Sequence, residues 1–145
     1  MAKTNKSYSN QVIGNIALYY TAYILSRHGW NVLPTSRNTR GVDIVIYSQD
    51  GTKTHTIQVK GLFKRNPVPF GSNLNNLIAE FYVIVLLNEL KSEPWAFVLR
   101  KENITGKLVK NVKNGKVSYW LDDMKFLSEF KDKWDIIGYG YQVKL

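Results

Sequence analysis

The sequence predicts a mixed α/β domain with helices packed on a central β-sheet, and three observations predict it. Residues 9–28 repeat apolar side chains at helical spacing, with Ile13, Ile16, Ala17, Tyr20, Ile24 and Tyr23 recurring every three or four positions. Short β-rich segments bounded by turn formers follow. Residues 81–87 are continuously apolar, the pattern of a strand covered on both faces at the centre of a sheet.

The elements are expected in the order α-β-β-β-(α)-β-β-β-β-α. Gly29 supplies a stop for the first helix, and Trp30-Asn31-Val32-Leu33 should form a short strand ending at Pro34. Residues 35–40 are a polar, basic loop, and residues 42–60 a hairpin about Asp50-Gly51. Residues 62–76, with Pro67, Pro69, Gly71, Asn66, Asn73, Asn75 and Asn76, read as loop with one helical turn near 74–78. After the 81–87 strand, Glu93-Pro94 marks a turn and residues 95–100 a neighbouring strand. Asn114-Gly115 joins strands at 108–112 and 117–121. Asp122 and Asp123 suit the start of a last helix running to about Phe130, since carboxylates favour a helix N-terminus. Residues 134–137 form a closing strand or a buried tail. The tryptophans Trp30, Trp95, Trp120 and Trp134 are expected in the core.

At 145 residues the chain is expected to be a single domain, 1–145, with a core over about 9–100 and a C-terminal hairpin and helix over about 101–145. A hydrophobic fraction of 44% and a charged fraction of 21% exclude a disordered tail. The longest apolar run is far too short to cross a membrane. Met1-Ala2-Lys3-Thr4-Asn5-Lys6 is not followed by an apolar segment, so no secretory signal is expected. Without cysteine there is no disulfide framework, thiolate zinc site or cysteine nucleophile, and a cytoplasmic setting is expected. His28 and His55 stand apart from other ligands at metal spacing, which argues against zinc.

The formal charge of +9 points to a polyanionic partner, because cations that neutralise phosphates release condensed counterions; a spread solubility charge is the alternative. Arg37, Arg40, Lys60, Lys64 and Arg65 flank the hairpin. Lys101, Lys107, Lys110, Lys113 and Lys116 form a second group, expected as a solvated face.

The hairpin carries the chemistry. A two-residue Asp50-Gly51 turn places Asp43 opposite Gln58, and a four-residue turn places it opposite Lys60. In both registers Asp43, Gln58 and Lys60 share a face, while Ile44, Ile46, Ile57 and Val59 point into a core. A carboxylate, an amide oxygen and an ammonium at one end of a hairpin can hold a divalent cation beside a phosphodiester. Ser36 and Arg37, in the preceding loop, offer either phosphate contacts or turn chemistry. Glu80 is expected to be a solvated strand-edge residue rather than a metal ligand.

The helix from Gly14, the short strand, the polar loop, Gly41-Val42-Asp43 opening a strand and Gln58-Val59-Lys60 on its partner resemble the PD-(D/E)XK nuclease superfamily over residues 12–87. The resemblance implies a restriction-endonuclease-like, or Holliday-junction-resolvase-like, core (α-β-β-β-α-β) and a Mg²⁺-dependent (or Mn²⁺-dependent) DNA endonuclease. It implies Asp43, Gln58, Lys60 and Asn15 as catalytic residues, with Asp43, Gln58 and the Val59 backbone carbonyl as metal ligands. Ser36, Arg37, Arg40, Lys64 and Arg65 would then bind nucleic acid. A homodimer suits a duplex or junction, because one such site cuts one strand.

Two positions depart from the pattern. Gln58 stands where an acidic residue is commoner, and Asn15 where many relatives carry a glutamate. Each missing charge weakens attraction for Mg²⁺ by roughly a few kcal/mol at ~4 Å and an effective dielectric near 20. The alternative expectation is therefore a weak or inactive nuclease fold that binds nucleic acid in a defence, transposition or anti-defence assembly.

Overall fold

The computed structural model describes residues 7–36 and 40–142. Helix α1 spans Asn10–Arg27. It starts where the Ser9 hydroxyl accepts the Val12 N–H at 3.2 Å, and Gly29, at φ 90°, turns the chain out of it. Its buried residues are Ile13, Ala17, Thr21 and Leu25, with the Thr21 hydroxyl donating to the Ala17 carbonyl at 2.8 Å. Ile16, Tyr20 and Ile24 are only partly buried, and Tyr23 is exposed. The buried stripe is thus rotated from the expected one, on a helix that is apolar on more than one side.

Strands β1 (Asn31–Pro34), β2 (Ile44–Tyr47), β3 (Thr54–Leu62), β5 (Phe81–Leu86) and β6 (Trp95–Arg100) form a mixed sheet in the order β1-β2-β3-β5-β6. All neighbours are antiparallel except β3 and β5, which pair parallel. The central strand β5 is buried at all six positions. Its alternate residues serve two cores. Phe81, Val83 and Val85 meet Ile13, Ala17, Leu25, Ile44 and Ile57 on the α1 side. Tyr82, Ile84 and Leu86 meet Val68, Phe70, Leu77, Leu121 and Leu127 on the other. The α/β class with a mixed central sheet agrees with the sequence.

The crossover between β3 and β5 contains β4 (Val68–Pro69), a strand where the sequence predicts loop. It joins β8 (Lys116–Leu121) and β7 (Val109–Lys113) in a second sheet, ordered β4-β8-β7. Helix α2 (Lys101–Thr105) is a second unexpected element. It is capped where the Asn103 side-chain Oδ1 accepts the Arg100 N–H at 2.8 Å. Helix α3 (Met124–Ser128) opens on Asp123, which accepts the Phe126 N–H at 2.9 Å, and stops short of Phe130. Residues Trp134–Ile136 form a 3₁₀ turn, not a strand, that buries Trp134 beneath α1. Trp30 also lies in the core, whereas Trp95 and Trp120 are only half-buried.

The β2–β3 ladder pairs Ile44 with Ile57 and Tyr47 with Thr54, the register expected of the shorter turn, and Asp43 lies just beyond its first pair with its N–H on the Ile57 carbonyl. The loop that delivers this register is wider than a two-residue turn, because Ser48 N–H bonds the Lys53 carbonyl at 2.9 Å. Asp50 organises that loop, accepting from the Ser48 hydroxyl (2.7 Å), the Thr52 N–H (3.0 Å) and the Thr52 hydroxyl (2.8 Å). These bonds, the Ser48 hydroxyl foremost, hold its carboxyl down to about 2.

Candidate functional site

The site is built where β2 begins. The Asp43 N–H donates to the Ile57 carbonyl at 2.9 Å and its carbonyl accepts from Thr35 N–H at 2.9 Å, so its backbone is fixed between β1 and β3. The first laddered residue of β2 is Ile44. The Val59 amide, two residues past Ile57 on the same edge of β3, therefore has no β2 backbone to meet. Asp43 takes its place: Oδ2 accepts the Val59 N–H at 2.7 Å.

Gln58 and Lys60 project from β3 to the side away from α1, beside Tyr82 and Ile84 of β5. They line a cleft of about 260 Å³ with Arg40, Gly41, Phe70, Gly71, Asn73, Asn76 and Leu77. Gly41, at φ 74°, closes the cleft tightly, since a Cβ there would stand 2.5 Å from the Asn76 carbonyl oxygen. Gln58 Oε1 is buried and has no hydrogen-bond partner, a costly condition for an amide oxygen. Burial pushes the Lys60 ammonium below its ordinary pKa of 10.5, and the Asp43 carboxylate acts in the opposite sense. Lys60 Nζ lies 5.3 Å from the centre of the Phe70 ring. Lys60 and Asp43 are not in direct ion-pair contact; the ion pairs among the described residues are His55–Glu80, Lys91–Glu89 and Lys107–Asp123.

Gln58, Lys60 and Arg40 line the cleft together, while Asp43 does not line it and joins them through its bond to the Val59 N–H between Gln58 and Lys60. Asn15 is not among them: it is exposed on α1, and no residue of α1 lines the cleft. Against Gly61 of β3 the helix presents Ile13 and Ala17. Lys64 and Arg65 are exposed in the bend after β3, outside the cleft, with the Arg65 guanidinium 5.7 Å from the Trp95 ring centre. Ser36 is exposed after β1, and Arg37 lies outside the described residues. Glu80 is not simply solvated: its carboxylate meets His55 Nδ1 at 2.9 Å, and His55 sits between the Trp30 and Phe81 rings. Among the described residues no three His, Cys, Asp or Glu side chains gather as a metal cluster.

Sequence reasoning missed the far wall, residues 70–77. Its signal was Val68 and Phe70, apolar residues alternating about Pro69 within a polar, asparagine-rich stretch. Asn73 shapes this wall by accepting the Asn75 N–H at 2.9 Å. Among the described residues, no helix is long and apolar enough to cross a membrane.

No family model and no curated protein matches the chain. Among solved structures, its fold is similar to that of a bacterial homing endonuclease, I-Ssp6803I. The TM-score is 0.60 at 16% sequence identity, over 90% of this chain and 93% of that one. The likeness is one of fold, and it extends over nearly the whole of both chains.

Proposed function

We propose that the protein is a metal-dependent DNA endonuclease of the PD-(D/E)XK type, acting through a Gln-x-Lys variant of that motif. The observation that carries this reading is the cleft itself: an unpartnered buried amide oxygen and a desolvated ammonium, two residues apart, beside a carboxylate at the strand end. The fold likeness to a homing endonuclease supports it.

The residues present fit Mg²⁺ (or Mn²⁺), which prefers oxygen donors and retains several waters. Asp43 supplies the anionic oxygen and Gln58 Oε1 an uncommitted one. Val59 adds its carbonyl, because a strand residue's N–H and C=O address the same edge, here that of Asp43. Bound there, the ion would supply Lewis-acid neutralisation of the phosphate and a more acidic water. Lys60 holds the attacking water or the developing phosphate charge by hydrogen bonding from its ammonium. Arg40, at the cleft mouth, binds a neighbouring phosphate. Ser36, Arg37, Lys64 and Arg65 extend the phosphate contacts along the backbone. Asn15 would contribute only through groups brought to the helix by bound DNA. A single centre cuts a single strand, so duplex cleavage calls for two copies, as a homodimer.

A second reading, nucleic-acid binding without cleavage, is favoured by one observation: Asp43 is the sole carboxylate among the proposed ligands. One assay separates the two. The protein is incubated with branched, duplex and single-stranded DNA in Mg²⁺ or Mn²⁺, beside Asp43→Ala and Lys60→Ala. Cleavage by the parent chain alone is expected. Cleavage that survives both substitutions would sink the site, and salt-sensitive binding without cleavage would favour the second reading.

A further inference from the structure

We propose that the β7–β8 hairpin is a reading ribbon that lies in the DNA major groove and sets where the Gln58–Lys60 cleft acts; this rests on the nuclease reading above. Residues 107–121 carry Lys107, Lys110, Lys113 and Lys116 and no acidic residue, a complement to a polyanion. All five residues of β7 are exposed. The register Val109↔Trp120, Asn111↔Ser118 and Lys113↔Lys116 places those six side chains on one face, because directly opposed residues share a face. The other face descends into the core through Tyr119 and Leu121. On the outward face the β7 residues and Lys116 are exposed, while Ser118 and Trp120 are half-buried.

Its chemistry suits base edges. A two-stranded antiparallel ribbon fits the major groove, and asparagine, serine and lysine side chains are groups that read its donors and acceptors. Trp120 Nε1 donates to Ser118 Oγ at 2.8 Å, which fixes the serine rotamer and leaves its own O–H free to donate. Lys107 is outside the reading set, since it pairs with Asp123 at 4.0 Å and lies over the Phe126 ring at 4.9 Å.

The ribbon and the cleft share a wall. The Phe70 N–H donates to the Tyr119 carbonyl at 2.9 Å, and the Tyr119 N–H donates to the Gly71 carbonyl at 2.9 Å. Phe70 and Gly71 line the cleft, and the Phe70 ring faces Lys60. A duplex seated on Asn111 and Ser118 is therefore held in a fixed relation to the cutting residues through backbone bonds, with no hinge between.

The test selects duplexes with a randomised central segment on the full-length chain in EDTA, and runs plasmid cleavage in Mg²⁺ in parallel. The parent chain is expected to enrich a sequence. Asn111→Ala and the double variant Asn111→Ala/Ser118→Ala should lose discrimination by roughly ten- to hundredfold at one or two base pairs, with bulk affinity nearly kept. Lys113→Ala/Lys116→Ala should weaken binding to all duplexes and reduce the salt slope by about two counterions. Thermal melting checks that the variants stay folded, and Asn111→Ala alone leaves the Trp120 bond intact. The same preference in parent and variants, no duplex binding, or preference for RNA would overturn the ribbon. Cleavage without hairpin-dependent preference sinks the ribbon alone, and hairpin-dependent preference without cleavage sinks only the nuclease reading.

Discussion

The Asp43 carboxylate and the Val59 amide are joined by a 2.7 Å hydrogen bond that takes over where the β2–β3 ladder ends. One side chain thus completes the sheet edge and carries the negative charge of the site. Substitution separates the two duties. Asp43→Asn keeps an acceptor for Val59 and should unfold in urea much as the parent does, while cleavage falls at least about a hundredfold. Asp43→Ala should lose cleavage and also about 1–3 kcal/mol of stability, because a partly buried N–H is left without a partner.

Lys60 is held at a cost. Burial lowers its pKa, so the unfolded chain keeps this proton to higher pH than the folded one. Stability should therefore rise as pH climbs through the depressed value towards 10.5. The rise is cleanest below about pH 10, where Tyr20 and Tyr82, both raised mainly by burial above their ordinary value of 10.0, still hold their protons. Lys60→Met should abolish cleavage, flatten this pH dependence and melt a few degrees higher at pH 7, in roughly the proportion of ~2–4 °C per kcal/mol. Melting curves from pH 7 upward check all but the first.

Gln58→Glu puts a carboxylate where a neutral amide oxygen now lies buried without a partner. In EDTA this variant should be less stable than the parent, because a charge is buried beside Asp43. Added Mg²⁺ should reverse the order, and the Mg²⁺ concentration for half-maximal cleavage should fall about tenfold or more. Calorimetric melting with and without Mg²⁺, beside a cleavage titration, measures both effects.

Gly61 follows Lys60 and lies against the first helix. A Cβ there would meet the Ala17 Cβ and the Ile13 carbonyl oxygen, each at 3.0 Å. Gly61→Ala should cost about 1–3 kcal/mol by pushing α1 off β3, read in denaturant unfolding. Gly14→Ala on the same helix, where a Cβ meets nothing within 4 Å, should be neutral or stabilising.

The parts of the fold legible in sequence are those whose signals are local. The β-branched run at residues 44–46 and the unbroken apolar run of β5 give their strands directly, and alternation along β3 puts Gln58 and Lys60 on one face with no knowledge of the rest of the chain. The cleft's far wall was not legible, because Val68 and Pro69 become a strand only by pairing with Leu121 and Trp120, some fifty residues on. Helix α2 is five residues long and owes its start to one asparagine cap, too little for periodicity to register. Which face of α1 carries Asn15 was not legible for a different reason. With Val12, Tyr19 and Tyr23 exposed as well as Ile13 and Ala17 buried, the apolar pattern of α1 does not fix its rotation.

The β4–β8 pairing also sets an order of assembly. Residues up to Arg100 contain every strand of the main sheet, so during synthesis the Asp43–Lys60 hairpin can be seated before the chain that braces Phe70 and Gly71 has left the ribosome. The cleft is finished only when Tyr119 arrives. A nascent chain stalled before that point should show a protected β3–β5 core and protease-sensitive residues 66–73. Such timing would keep the cleft unassembled until the residues around Tyr119 have emerged.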